Sequence, residues 1–167
     1  MLEAEGLIEV KRRVGITIFY PDVNFVGSTF QFRALLEREG LRLFAPHVTQ
    51  EWIDLTRSAH QRFLSELTPA MRPKDYERPV KVLEDRLHGS FITAFENHQI
   101  EATYAKLTQK MFLLRLLRSD VVGPTNTRHS LEEHLRVVDA LEGRDPEAAA
   151  KALEDHLRGV LHRILGR

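Results

Sequence analysis

The stretch SLEEHLRVVDALEGRDPEAAAKALEDHLRGVLHRIL, residues 130–165, contains two amphipathic helix patterns with a short break between them. In each half, apolar residues and one histidine recur at spacings of three and four, so they share one helix face. These faces are Leu131–His134–Val138–Leu141 and Ala149–Leu153–His156–Val160–Ile164. Asp145 and Pro146 supply an N-cap and a first-turn proline for the second helix. Two helices joined by so short a break predict an antiparallel helical pair.

The helical periodicity extends N-terminally over most of the chain. Six helices are predicted, over residues 28–44, 49–67, 74–97, 99–118, 131–141 and 146–165. Ser130 and Glu133 form a capping box that predicts the start of the fifth helix. Loops of proline, glycine and threonine separate the others, as in TPAMRP and VVGPTNT. We therefore predict an all-α fold, an antiparallel bundle of about six helices.

Residues 1–20 have a different character. In GLIEVKRRVGITIFY, residues 6–20, two β-prone runs flank a basic turn, and Gly15 permits the backbone angles of a tight turn. This pattern predicts a short β-hairpin before the bundle, joined to it by a linker over residues 21–27. A lone two-stranded hairpin is marginally stable in water, so we expect it to depend on a neighbouring element.

The composition is that of an ordinary globular domain. The chain has 167 residues, enough for one domain with a core, and 43% of them are hydrophobic. Lys and Arg together number 24, as do Asp and Glu, so no overall field draws the chain to nucleic acid or anionic lipid. Cysteine is absent, which excludes disulfides and thiolate metal ligands. Because neither a membrane-spanning apolar run nor a signal-peptide pattern occurs, we expect a cytoplasmic protein without membrane contact.

The segment EDRLHGSF, residues 84–91, places acidic groups and a histidine inside a predicted helix. Glu84 and His88 are four residues apart and share a face that continues through Phe91 and Phe95, so both point toward the core. Asp85 lies on a more polar face, and it is the alternative acid. Burying an ionised carboxylate costs several kcal/mol unless it gains a partner, and Glu84 therefore needs one.

Three predicted helices each direct an imidazole inward, from His88, His134 and His156, and Glu84 adds a carboxylate. Neutral imidazoles and a carboxylate suit zinc, nickel, iron or manganese. The alternative is that each histidine is a hydrogen-bonded core residue, which is the commoner role of an isolated inward histidine. His60 is ambiguous, because apolar residues share its face, and the remaining histidines lie at breaks or on an outer face. Periodicity alone leaves both interpretations open.

Three helical segments carry arginine, acidic and histidine positions in a specific order. They are FRALLEREGLRLFA (32–45), EDRLHGSFITAFENH (84–98) and SLEEHLRVVDALEGRDPEAAAKALEDHL (130–157). Together they resemble the FCD domain, the C-terminal effector-binding domain of FadR-type GntR transcription regulators. The likeness extends over residues 28–161, and MLEAEGLIEVKRRVGITI resembles the wing of the family's winged-helix domain.

The resemblance implies a division of the chain into three parts. Residues 1–20 would be a remnant of the winged-helix DNA-binding domain, 21–27 a linker, and 28–167 an FCD-type ligand-binding and dimerisation domain. Because the helix-turn-helix of such a domain would precede Met1, we expect an N-terminally truncated regulator.

The resemblance also implies a metal centre in the bundle core. Members of the family bind the metal with an Asp and three His, and here one divalent transition metal is expected. The corresponding residues are Glu84, His88, His134 and His156. Glu stands in place of the family's Asp, and the additional methylene moves the carboxylate.

In such domains the metal anchors a small organic acid, the effector. Arg33 and Asn97 are the residues expected to contact it, because a guanidinium binds a carboxylate through two hydrogen bonds. Arg115 and Arg118 are alternatives to Arg33. The competing interpretation of Arg33 is a surface ion pair with Glu37.

The resemblance implies a function in transcription regulation rather than catalysis. The chain would be an effector-sensing domain and a homodimer, and it would act on operator DNA through the winged-helix domain. Lys11, Arg12 and Arg13 of the wing are expected to contact DNA phosphates. The alternatives are a metal-dependent enzyme or a metal-stabilised helical scaffold that uses the same residues.

Overall fold

The computed structural model of the protein describes residues 8–11, 13, 15–18, 22–117 and 123–166. This part contains a β-hairpin and six α-helices, so the prediction of an all-α bundle behind a hairpin is confirmed. The elements are β1 (Ile8–Lys11), β2 (Gly15–Ile18), α1 (Val23–Phe44), α2 (Gln50–Glu66), α3 (Pro73–Thr93), α4 (His98–Leu117), α5 (Pro124–Glu142) and α6 (Pro146–Leu165). None of these helices is long and apolar enough to cross a membrane.

The hairpin forms where the β-prone runs predict it. Strands β1 and β2 are antiparallel, with Ile8 opposite Ile18 and Lys11 opposite Gly15. Gly15 has a φ of 129°, a conformation that side chains with a Cβ rarely adopt, which explains why the turn needs glycine there. Of the predicted DNA contacts, Arg13 is exposed, whereas Arg12 and the side chain of Lys11 lie outside the described residues.

Helix α1 begins at Val23, five residues before the predicted start, so residues 23–27 of the predicted linker over 21–27 are helical. The cause is an N-cap that the periodicity does not reveal. The Oδ1 atom of Asp22 accepts a hydrogen bond from the Phe25 amide at 2.7 Å, which satisfies one of the unpaired amides of the first turn.

Helix α5 also begins early, at Pro124, and the predicted capping box at Ser130 and Glu133 is wrong. Gly123 is the N-cap, and Pro124 is the first helical residue because its fixed φ suits that position. The predicted cap of α6 is confirmed, since Asp145 Oδ1 accepts from the Ala148 amide at 2.9 Å. The third helix ends at Thr93 rather than at residue 97.

The core lies between two helix pairs, α1 with α3 and α5 with α6. Helix α1 packs on α3 and α6, while α5 packs on α6 and α2. The largest apolar cluster has fully buried members on five of the helices: Leu41, Ile53, Leu87, Phe91, Val137, Leu141 and Leu153. Several predicted site residues lie within a few positions of these on the same helices, so this packing also holds those side chains in place.

Gly40 marks the closest approach of α1 and α3. A Cβ at this position would lie 2.1 Å from the carbonyl oxygen of Phe91 and 3.0 Å from Cε2 of Phe95. We expect Gly40→Ala to lower the free energy of unfolding by about 1–3 kcal/mol, because the helices must separate. Gly27→Ala in the same helix has open space around it and should raise stability by about 0.5–1 kcal/mol. Urea unfolding followed by circular dichroism measures both, and equal effects would contradict the close approach.

Candidate metal centre

The three predicted histidines come together in the middle of the bundle. His88 on α3, His134 on α5 and His156 on α6 are at most 2% exposed. The Nε2 atom of His134 lies 3.2 Å from Nε2 of His88 and 3.2 Å from Nε2 of His156. One ring nitrogen from each histidine therefore faces a single shared point.

Glu37 on α1 orients the ring of His88. Its Oε2 atom lies 2.6 Å from His88 Nδ1, and its Oε1 atom accepts from the Tyr104 hydroxyl at 2.7 Å and from Nε of Arg33. Burial would raise the pKa of Glu37, but Arg33 and the hydrogen bond from His88 lower it to about 2. The carboxylate is thus ionised and accepts a hydrogen bond from Nδ1–H of His88, which leaves the Nε2 atom of the ring directed toward His134.

Glu133 on α5 orients the ring of His156. Its Oε2 atom lies 2.8 Å from His156 Nδ1, and Arg163 donates to both carboxylate oxygens at 2.8 and 2.7 Å. Burial would raise the pKa of Glu133, but the hydrogen bonds from His156 and Arg163 lower it to about 2. His156 therefore also donates from Nδ1–H and directs its Nε2 lone pair toward the shared point.

A fourth histidine, His60 on α2, lies against His134. Its Nε2 atom is 3.1 Å from Nδ1 of His134, and its own Nδ1 is 2.8 Å from the carbonyl oxygen of Thr56. The side chain is fully buried. Sequence periodicity left His60 ambiguous, and the structure resolves it as an inward residue.

Glu84 is the inward acid, as its helix position predicts. Its Oε1 atom lies 3.8 Å from Nε2 of His134, and its Oε2 atom lies 3.9 Å from Nε2 of His88. Asp85 is exposed and bonded to Lys81 at 2.6 Å, so the alternative acid points away from the histidines.

Arg33 is buried beside this cluster, 4% exposed, and its pair with Glu37 is a core interaction rather than a surface one. Burial would lower the pKa of Arg33, but the charges of Glu37 and Glu84 raise it, so the guanidinium is charged. Its Nη2 atom lies 3.8 Å from Oε2 of Glu84. The alternatives Arg115 and Arg118 lie outside the residues whose side chains are described.

Asn97 does not accompany the histidines. It is exposed at the α3–α4 junction, where its Oδ1 accepts from the amides of Gln99 and Ile100 at 3.0 and 3.3 Å. The side chain caps the start of α4. Nothing in this position supports its expected role as an effector contact.

The donor set suits a divalent transition metal. Burial lowers the pKa of His156 to about 4 and that of His134 well below its usual range, so both rings are neutral and able to coordinate. Lone pairs at a separation of 3.2 Å repel each other unless a cation or a proton lies between them. Tetrahedral zinc, with Zn–N bonds of about 2.0–2.1 Å, holds its nitrogen ligands about 3.3 Å apart. The two separations of 3.2 Å from Nε2 of His134 thus fit a bound ion.

Sequence reasoning missed the residues that hold the ligand rings. The sequence predicts Glu37 only as the partner of Arg33, and Glu133 only as part of a helix cap. Glu133 is adjacent to His134, but its hydrogen bond reaches His156 on another helix. Only the general rule that ligating histidines donate their second nitrogen to an acceptor could have prompted a search for these carboxylates.

Comparison with known proteins identifies the class of protein that this fold and cluster define. The sequence model of the FCD domain matches residues 28–159. The chain therefore belongs to the FCD domain family, and the resemblance in its helical segments is confirmed. None of the curated proteins compared matches the chain.

Solved structures of related domains share the fold. The metal-free FCD domain of TM0439 has a TM-score of 0.70 at 20% identity, covering 89% of this chain and 96% of that one. Its Zn²⁺-bound form has a TM-score of 0.68 at 22% identity, with the same coverage. A GntR-family transcriptional regulator from Pseudomonas syringae pv. tomato str. DC3000 has a TM-score of 0.65 at 21% identity, covering 98% of this chain and 65% of that one.

Without metal, the buried histidines should make the fold sensitive to mild acid. His156 has a usual pKa of 6.5 and a folded pKa of about 4, so its neutral form stabilises the protein above pH 6.5. That contribution is lost as the pH falls from 6.5 toward 4, because the unfolded chain binds the proton first. We expect the free energy of unfolding of chelator-treated protein to fall over this window, and less steeply in His156→Phe.

Urea unfolding at several pH values between 7 and 4 provides the measurement. The control is His162→Phe, an exposed position on the same helix, which should retain the wild-type pH dependence. A stability that is independent of pH over this window in the wild type would contradict the burial of neutral imidazole.

Proposed function

We propose that the chain is the effector-sensing domain of a transcription regulator and that its core binds one divalent transition metal. The observation that carries the proposal is the buried convergence of three Nε2 atoms, from His88, His134 and His156. Glu84 would supply a carboxylate ligand from the turn below His88. The structure of the Zn²⁺-bound FCD domain of TM0439 supports the proposal, because that domain shares the fold.

The protein's own residues would prepare the centre for the ion. Glu37 and Glu133 hold the rings of His88 and His156 by their Nδ1–H groups, so that each Nε2 is free to coordinate. When bound, the metal would supply a Lewis acid with coordination positions for a small carboxylate. We infer zinc, nickel, iron or manganese from the nitrogen and oxygen donors.

Arg33 would provide the second contact of the effector, a small organic acid. Its guanidinium is charged and buried, and its Nη2 atom lies near the carboxylate of Glu84. A carboxylate between the metal and Arg33 would therefore find a cation on each side. Arg33 also bonds Glu37 and hence, indirectly, His88.

Helix α1 would carry the signal to the DNA-binding part of the regulator. Arg33 and Glu37 both lie on α1, and this helix is the first element after the β-hairpin. An effector that repositions these side chains would favour one arrangement of α1 over another, by binding that arrangement more tightly. We propose that the regulator acts as a homodimer on operator DNA through its winged-helix domain.

The metal proposal predicts about one transition metal per subunit in natively purified protein. The triple variant His88→Ala, His134→Ala, His156→Ala should lose the ion, because all three nitrogen ligands are gone. The control is His129→Ala, an exposed residue on the same helix as His134. Elemental analysis by mass spectrometry measures occupancy, and circular dichroism checks that each variant folds. Full occupancy in the triple variant would overturn the ligand assignment.

The effector proposal predicts metal-dependent stabilisation by small acids. Lactate, gluconate and succinate are suitable probes of hydroxy acids, sugar acids and dicarboxylates. A ligand at a hundredfold excess over its Kd stabilises by about 2.7 kcal/mol, which raises Tm by several degrees for a domain of this size. Removing the metal should abolish most of the shift.

Arg33→Lys should also reduce the shift, because an ammonium group cannot form the two-pronged contact with a carboxylate. The matched control is Arg38→Lys, on the same helix but partly exposed and paired with Glu154. Metal content is measured in both variants, since Arg33 also supports Glu37. If no acid gives a metal-dependent shift in Tm, the metal has only a structural role in a helical scaffold. If an acid is converted to product, the chain is an enzyme.

A further inference from the structure

We propose that His60 is a positioning residue for the candidate metal centre, and that it holds the proton of His134 on Nδ1 so that Nε2 can bind a metal. This inference rests on the proposed metal site. It concerns a residue outside the ligand set, on α2, a helix that contributes none of the proposed ligands. His60 is as deeply buried as the ligands themselves.

The first step is the position of the proton on His60. Its Nδ1 atom lies 2.8 Å from the carbonyl oxygen of Thr56, one turn earlier in α2. A carbonyl oxygen can only accept a hydrogen bond, and a bare ring nitrogen at this distance would repel it. His60 therefore carries a proton on Nδ1 and donates a hydrogen bond to the carbonyl oxygen of Thr56.

The second step follows from the burial of His60. His60 has no exposed surface, and its two hydrogen-bond partners, the Thr56 carbonyl and the ring of His134, offer no negative charge, so the ring is neutral and has one proton, which Nδ1 already holds. Its Nε2 atom is then an acceptor, and the group 3.1 Å away is Nδ1 of His134. His134 must be the donor in this contact, which leaves its own Nε2 without a proton.

The third step is what His134 would do without this acceptor. Its Nε2 atom is 3.2 Å from the Nε2 atoms of both His88 and His156. A proton on Nε2 of His134 would form a hydrogen bond to one of these lone pairs and close the cluster without a metal. His60 disfavours that arrangement, because its Nε2 atom accepts a hydrogen bond only from the Nδ1–H tautomer of His134.

The acceptors of the three ligand rings differ in charge. His88 and His156 donate to the carboxylates of Glu37 and Glu133, whereas His134 donates to neutral His60. A third carboxylate would add a buried negative charge at a costly position. A neutral imidazole fixes the same tautomer without this charge.

Nuclear magnetic resonance of metal-free protein labelled with ¹⁵N-histidine tests the proton position directly. Long-range ¹H–¹⁵N spectra distinguish the two neutral tautomers of each ring, and a His134→Gln variant identifies the signals of His134. We expect the Nδ1–H tautomer of His134 in the wild type. In His60→Leu, which fills space but accepts no hydrogen bond, we expect the Nε2–H tautomer to gain population.

Zinc affinity, measured by competition with a chromophoric chelator, tests the consequence. His60→Leu should weaken Zn²⁺ binding about 10–100-fold, the usual effect of removing a partner of a ligand histidine. His60→Gln should recover most of the affinity, because its amide can donate to Thr56 and accept from His134. The control is His98→Leu, an exposed residue at the start of α4, which should bind Zn²⁺ as the wild type does.

The results separate a positioning residue from a core-filling one. The proposal is overturned if metal-free wild type holds the proton of His134 on Nε2, or if His60→Leu binds Zn²⁺ as tightly as the wild type. Wild type that binds no Zn²⁺ would refute the proposed metal site, while the tautomer of His134 would still decide the role of His60. If His60→Leu does not fold, the wild-type spectrum and the His60→Gln affinity carry the test.

Discussion

A single buried anion, the carboxylate of Glu37, determines how three helices meet. It has no exposed surface, and burying an ionised carboxylate costs several kcal/mol unless donors replace its water. The donors come from Arg33 on α1 itself, His88 on α3 and Tyr104 on α4. Because the two oxygens must be satisfied together, the hydrogen bonds from His88 and Tyr104 fix α3 and α4 against α1. A bundle packed in any other register would leave the charge without partners.

The opposite side of the bundle repeats this arrangement with Glu133. Its carboxylate links His156 and Arg163, both on α6, to α5. The α1–α3 pair thus presents His88 and the α5–α6 pair presents His156, each oriented by a carboxylate, and Nε2 of His134 on α5 lies 3.2 Å from the Nε2 atoms of both. The candidate metal centre therefore lies where the two pairs meet, and its side chains come together only if the bundle packs in this way. The carboxylates that link the helices therefore also orient the rings of His88 and His156.

Helix periodicity was sufficient to find the candidate ligands but not the residues that orient them. Which face of a helix a side chain occupies is a local property, so the inward positions of His88, His134 and Glu84 could be predicted from spacing alone. The partner of His88 is 51 residues away in sequence, and no local pattern encodes that contact. The early start of α1 was missed for a different reason, because the capping bond of Asp22 depends on a turn geometry that apolar spacing does not reveal.

The charge around the centre bears on what it can bind. The charges of Arg33 and Glu37 offset each other in their buried pair, the rings of His134 and His156 are neutral, and Glu84 adds a further carboxyl group beside them. A divalent ion would bring two positive charges, of which an ionised Glu84 would offset one and a single effector carboxylate the other, whereas a second effector carboxylate would be buried without a counterion. Glu84 already lies within 4 Å of both Arg33 and the Nε2 atoms of two histidines. An acid in the proposed site must therefore share the space between the metal and Arg33 with the carboxylate of Glu84, which favours a small ligand with one charge.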